Sequence, residues 1–216
     1  AFFILAGIQT AQASHLRAGE ITARRISLSS ATYEVKLITY TDQINGVAAN
    51  DGQESVFFYF GGAVPPIEVR RRSKVQISAS TTVNTYIDTV TFPAPGRYII
   101  SCGISNRNKN TINLPQPSDN LSFFVQSEIL INASFGLNST PTLLNIPVDS
   151  AAVGTRFIHN PGAFDVDGDS LSYKLVICKK DKGDATGIGE EISPFKWPET
   201  IGENPLNEEG NAPATF

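Results

Sequence analysis

The feature that most constrains this chain is a period of two. In Ala31–Tyr40, Tyr33, Val35 and Leu37 fall on one face while Glu34 and Lys36 fall on the other. Alternation of that kind places successive side chains on opposite sides of a half-buried strand. The pattern recurs in Thr85–Phe92 and in Arg97–Cys102, which follows a Pro95-Gly96 turn signal. It recurs again in Ser122–Asn132, where Phe123, Val125, Ile129 and Ile131 share a face. Ser55–Phe60 is almost entirely apolar and reads as a core strand. No window holds a helical period over three turns. Short strands separated by turn signals predict an all-β fold, a sandwich or a barrel. Two long polar loops, Thr41–Glu54 and Gly103–Asn120, interrupt the strands; loops of that length serve either as binding surfaces or as solvated connections.

Charge divides the chain. Residues 14–126 carry 11 Lys and Arg against 8 Asp and Glu, a net of +3, whereas residues 127–216 carry 6 against 13, a net of -7. The asymmetry predicts two units, the second better suited to cations. The overall charge of -4 argues against a general nucleic-acid binder. The Pro- and Asn-bearing stretch 132–147 is the expected boundary. The reading is therefore a β-sandwich domain over 14–135 and an Ig-like or cadherin-like β-domain over 136–216, incomplete at the end of the sequence. In the second unit, strands are expected at Thr155–His159 and Ser170–Cys178.

Residues 1–13 read as the remnant of an export signal. Ala1–Ile8 is an uncharged apolar run, and Ala11-Gln12-Ala13 fits a small-x-small cleavage site. The run is too short for a membrane-spanning helix, which needs about 20 apolar residues. Export places the chain outside the cell, at the cell surface, and permits a disulfide between Cys102 and Cys178. Strand register argues against that bond, because Cys102 shares the inward face of Tyr98 and Ile100 while Cys178 lies opposite Leu171, Tyr173, Leu175 and Ile177.

Three carboxylates, Asp165, Asp167 and Asp169, alternate around Gly168. Carboxylates at i, i+2 and i+4 can wrap one hard cation if the chain turns sharply, and glycine permits the turn. The stretch is not an EF-hand: Ser170 stands at the sixth position and Val176 at the twelfth. Two readings stand, a weak Ca²⁺ loop of about 0.1–1 mM affinity with Asn160 assisting, and a solvated acidic turn closed by an Asx bond. Arg70-Arg71-Arg72-Ser73-Lys74 puts Arg70, Arg72 and Lys74 on one strand face, as an anion-receiving patch or as strand-edge charge that blocks aggregation. Trp197, Tyr40, Tyr59 and Tyr86 are either a sugar-stacking platform or core residues. His15 and His159 stand in no nucleophile–base pattern, and no catalytic or phosphate-binding motif occurs, so no enzymatic role is expected.

The opening Ser14-His15-Leu16-Arg17-Ala18-Gly19-Glu20-Ile21 resembles the Ser-His-x-x-Gly-Gly-Glu-Ile start of large exported surface proteins of the Bacteroidetes. These are labelled gliding-motility-associated for a C-terminal sorting domain. Tyr33-Glu34-Val35, Asn106-Arg107-Asn108 with Ile112-Asn113-Leu114, Asn138-Ser139-Thr140-Pro141, and His159-Asn160-Pro161-Gly162-Ala163-Phe164 running on through Tyr173 resemble later parts of the same family. The Asp-x-Asp-Gly-Asp-Ser-Leu-x-Tyr core is also similar to cadherin-like and Ig-like adhesin repeats. Arg17-Ala18 departs from the usual apolar-Gly pair. The resemblance implies a multi-domain protein of the type IX secretion route, with further domains on the same polypeptide and a structural or adhesive role toward an unknown protein or glycan ligand. The alternative is a carbohydrate-binding accessory module of a secreted polysaccharide-degrading enzyme.

Overall fold

The structure, a computed structural model, describes residues 15–132, 134, 138–147, 152 and 158–197. The stretch 1–13 expected to be a signal remnant, residues 155–157 of the strand expected at Thr155–His159, and the chain beyond Trp197 lie outside the described residues. The fold is all-β. Strand β2 (Thr32–Asp42) pairs antiparallel with β1 (Leu16–Arg25) on one side and with β5 (Thr81–Thr91) on the other. β4 (Ile67–Gln76) and β3 (Ser55–Phe58) complete a five-stranded sheet in the order β1-β2-β5-β4-β3. A second antiparallel pair is formed by β6 (Gly96–Ile104) and β7 (Phe123–Ile131).

The sheets are joined at one corner. Tyr59 continues β3 and exchanges two backbone hydrogen bonds of 3.0 Å with Ser101 of β6. The five-stranded sheet curls until its other end, β1, lies beside β7. Inside the curl, the alternation read from the sequence is realised: Tyr33, Val35, Leu37, Val56, Phe58, Val69, Tyr86, Val90, Ile100, Ile129 and Ile131 form one buried core. Phe92 anchors it, with ring centroids 5.6 Å from Tyr33, 5.9 Å from Phe60 and 4.3 Å from Tyr98. Packing of this density is the main stabilising term, and aromatic pairs at these distances add to the area they bury.

The interior is not apolar throughout. Past Leu37 the inward positions of β2 become Thr39 and Thr41, and opposite them stand Thr82 and Asn84 of β5, all buried. Asn84 Nδ2 reaches Thr41 Oγ1 at 3.3 Å. The short helix α1 (Val47–Gly52) covers this end, and Arg71 donates to the carbonyls of Asn50 and Asp51 in its last turn. Those carbonyls have no partner within the helix, so a cation there is favourable. The long loop expected over Thr41–Glu54 is therefore mostly strand end and helix.

Three other expectations are corrected. A bulge between Arg71 and Ser73 breaks the period of two, so Lys74 joins the Asn84 side and pairs with Asp51 of α1 instead of sharing a face with Arg70 and Arg72. Phe57, within the apolar run Ser55–Phe60, points outward and is exposed. Residues 171–178 form no strand ladder, and Leu171 and Tyr173 are exposed. Alternation specifies which face a strand would bury; a ladder also requires a neighbour with free backbone groups.

Asp42 fixes the mouth of the curl. Burial alone would push its carboxyl up. The amides of Ile44 and Asn45, the Asn45 side chain and the Arg17 guanidinium at 3.0 Å outweigh that and hold it below its ordinary value of 3.8. A depressed carboxyl contributes stability above its unfolded pKa and loses it as the pH falls through the folded one. Asp42→Ala is expected to cost about 1–3 kcal/mol in urea unfolding at neutral pH. The gap from wild type should narrow progressively below pH 3.8; a gap that stays constant there would show that the carboxylate charge is not the cause.

Candidate functional site

Each junction along the order β1-β2-β5-β4-β3-β6-β7 is antiparallel, so six reversals leave β1 and β7 running the same way. They meet along a seam without a shared ladder. The seam is stitched by side chains and by chain arriving from elsewhere. The Ser127 hydroxyl donates to the carbonyl of Ile21. At one end of β1, the Asn108 amide donates to Leu16 O at 3.1 Å. At the other end, Thr140 N–H donates to Ala23 O (2.9 Å), Thr140 Oγ1 accepts the Ala23 amide (2.8 Å) and Ser139 Oγ accepts the Arg25 amide (3.2 Å). Glu20 accepts the Leu143 amide at 3.2 Å.

This strap over 138–143 is itself held down. Its strand β8 (Thr142–Leu143) pairs with β9 (Ala163–Phe164), and the acidic loop follows β9 directly. Asp165 is buried and its Oδ1 accepts the amides of Asp167 (2.8 Å) and Asp169 (3.2 Å). Gly168 makes the turn at φ +85°, a left-handed conformation that glycine adopts without strain. The bend aims Asp167, whose Oδ2 accepts the Ser139 amide at 2.7 Å. The sequence-selected carboxylates thus act as a clasp: Asp165 shapes the loop, and Asp167 grips the strap. Asp169 is exposed. Asn160 does not join them in this bonding; its Oδ1 accepts the Gly162 amide at 2.9 Å. Among the described residues no set of three or more His, Cys, Asp or Glu side chains is grouped to hold a metal ion.

A second return of the chain covers β6 and β7. β10 (Lys179–Lys180) and β11 (Glu190–Glu191) pair with each other, and the loop between them lies on the β-body. Asp181 N–H donates to Ser122 Oγ at 2.7 Å, and Ser101 Oγ donates to Gly187 O at 2.5 Å. Gly187 has φ +65°, and a Cβ there would overlap Tyr59, so only glycine fits. Phe124, on the outer face of β7, is buried beneath this segment. Nothing in the alternation of Ser122–Asn132 marks Phe124 as covered, because its cover comes from about 65 residues away.

Between the two returns lies a furrow of about 850 Å³ along the seam. Leu143 lines one bank, Ile177 and Cys178 the other, with Phe123 in the floor. Two of its cations are bonded within the fold: Arg107 donates to Ser122 O and Lys179 O, both at 3.0 Å, and Lys179 Nζ donates to Gln126 Oε1 at 3.0 Å. The furrow offers a wall of mixed polarity in which Arg107 holds the backbone of Ser122 and Lys179 in place. Cys102 and Cys178 are both free; burial pushes the Cys102 thiol up, with Asp181 adding to it.

The aromatic platform is not assembled. Tyr40 and Tyr86 are buried in the β-body; burial pushes the Tyr86 phenol up to about 12, and its hydroxyl donates to Gln53 O at 3.0 Å. Trp197 packs edge-on against Phe195. The loop over 103–120 is likewise occupied internally: buried Ser118 donates to Asn108 O at 2.7 Å, and Asn106 donates to Asp119 O at 2.6 Å.

The chain matches no protein-family model, no curated protein and no solved structure. Among the described residues, no helix is long and apolar enough to cross a membrane.

The Thr140 hydroxyl is the only acceptor of the buried Ala23 amide toward the strap among the described residues. Thr140→Val keeps the shape and removes that acceptor, and is expected to destabilise by about 1–3 kcal/mol. Thr140→Ser should remain near wild type. Equal losses in both variants, read from denaturant midpoints, would mean that packing of the methyl group, and not the hydrogen bond, holds the strap.

Proposed function

We propose that this chain is a structural and adhesive segment, without an enzymatic role, of a large exported cell-surface protein of the gliding-motility-associated, sorting-domain-bearing kind. One observation carries the reading. The stretches on which the resemblance rests are far apart in sequence, yet most of them gather around one seam. Leu16–Ile21 lies in its first strand, and His15 directly precedes it. Arg107 bridges to Leu16. Ser139 and Thr140 strap Ala23 and Arg25. Asp167 of the acidic loop grips Ser139. A signature spent on closing a β-body suits a part that transmits force or spaces domains, since its motif residues are committed to holding chain segments together. The buried Tyr40 and Tyr86 count against the glycan-module alternative.

In this reading, the surface ligand is a protein or glycan reached outside the cell, and further domains of the same polypeptide continue the stack. Protease added to intact cells of the native host is expected to cleave the chain, and fractionation to place it at the cell surface. Retention in the cytoplasm would exclude the proposal.

Ca²⁺ enters as a second hold on the clasp. Asp165, Asp167 and Asp169, with Asn160 nearby in sequence, would supply the oxygens. An ion present at about ten times its Kd stabilises the folded state by about 1.4 kcal/mol. Millimolar Ca²⁺ is therefore expected to raise the melting temperature relative to chelator, and Asp169→Asn to reduce the shift. No difference between Ca²⁺ and chelator would leave the clasp a purely hydrogen-bonded device.

A further inference from the structure

Two exposed faces of this molecule are opposite in charge, similar in apolar content and placed on opposite sides. The first is the outer surface of β3, β4 and β5. Register puts Ser55 beside Arg70 and Phe57 beside Glu68 on that surface, and beyond the bulge Val75 pairs with Val83. Phe57, Arg70, Arg72, Val75 and Ile87 are exposed there. Arg70 and Arg72 have no acidic partner among the described residues. The acid on this face, Glu68, accepts the Ser55 hydroxyl at 2.6 Å.

The second face is the outer side of the β8–β9 pair and its acidic loop. Thr142 pairs with Phe164, so Leu144, two residues on, shares the Phe164 face, while Leu143 turns inward to the furrow. Leu144 is 66% exposed, Phe164 55%, Val166 58% and Tyr173 60%. Tyr173 is tied to this pair, its hydroxyl accepting the Ala163 amide at 3.1 Å. Asp167 and Asp169 rim the patch; Asp167 spends one oxygen on Ser139, and Asp169 has no basic partner among the described residues.

Large apolar side chains exposed together beside unneutralised charge mark an interaction surface. The two faces cannot meet within one molecule. In the order around the curl, β4 is three strands from β1 and three from β7, while the acidic face is strapped to the β1 side of the seam. We propose that copies of this chain associate head to tail, the basic β3–β4–β5 face of one seated on the acidic β8–β9 face of the next. Because the contact joins two different patches, it is heterologous and leaves a free face at each end. Such a contact extends a row and does not stop at a dimer, unless the rotation between copies closes a ring. The charge difference between residues 14–126 and 127–216 then has a use: it orients every copy in the row the same way.

Sedimentation velocity on the full chain tests it. At about 20 mM salt the weight-average mass should rise with concentration, and added salt to about 0.5 M should weaken association, because exposed charges are screened beyond a few ångströms there. Arg70→Glu/Arg72→Glu and Val166→Lys/Asp169→Lys change exposed side chains only, and melting curves will report whether each remains folded. Each is expected to associate at least about tenfold more weakly alone. Their equimolar mixture should associate again, since each then offers the charge the other lacks. A wild-type chain that stays monomeric at low salt overturns the proposal, whatever the variants do. So does a charge-reversed variant that self-associates as well as wild type, which would mean that one face pairs with itself. So does a mixture of folded variants that remains monomeric.

Discussion

Closing the sheet is the problem on which the rest of this structure depends. Seven strands joined by antiparallel junctions bring β1 and β7 together in the same direction, and no ladder forms between them. An open strand edge exposes unpaired amides and carbonyls, which is costly if they are buried and invites aggregation if they are not. Here the edge of β1 is met piecewise: by the Asn108 amide at one end, the Ser127 hydroxyl in the middle, and Ser139 with Thr140 at the other end. Side chains with hydroxyl groups suit this role because they can donate or accept without a strand's register.

That solution ties the later part of the chain to the earlier part. Residues 138–143 and 179–192 act as cover for a body built by residues 15–131, and their own regular structure is limited to pairs of two residues. Their apolar side chains divide accordingly. Those facing the seam, such as Leu143, or the body, such as Ile192, are enclosed or half-enclosed. Those facing away, such as Leu144 and Phe164, remain open to solvent. A cover layer two residues deep has no core of its own, so its outer face stays exposed unless another surface reaches it. The acidic loop belongs to the same economy of contacts: Asp165 organises the turn, and the turn delivers Asp167 to the strap.

Much of this was legible in the sequence. The inward faces of β2, β5 and β6 follow from alternation because one face of each strand is buried against a continuous apolar interior, and a slip of one residue would invert it. Cys102 could be placed inward on the same ground. The acidic loop could be singled out, and its Asx bonding was one of the two readings that its spacing allowed. Lys74 could not be placed, because the bulge after Arg71 depends on how β4 fits β5, not on β4 alone. The exposure of Phe57 and the burial of Phe124 could not be read for a related reason. An apolar run does not say which of its members will lack a neighbour, nor which outer residue a distant segment will cover.

The sequence by itself determined the all-β class, the faces of the central strands, the turns at Pro95-Gly96 and Gly168, and the polarity difference between the two parts of the chain. These are local properties, set by side-chain period, backbone freedom and charge within a few residues. Only the tertiary structure decided that the sheet curls onto itself, that its seam is closed by Ser127, Ser139 and Thr140, that Asp167 clasps the strap over 138–143, and that the basic and acidic faces end on opposite sides. The contacts that close the seam join residues 106 to 117 positions apart. They are fixed by how a twisted sheet with parallel ends finds partners for its exposed edge, and no short window of sequence contains that information.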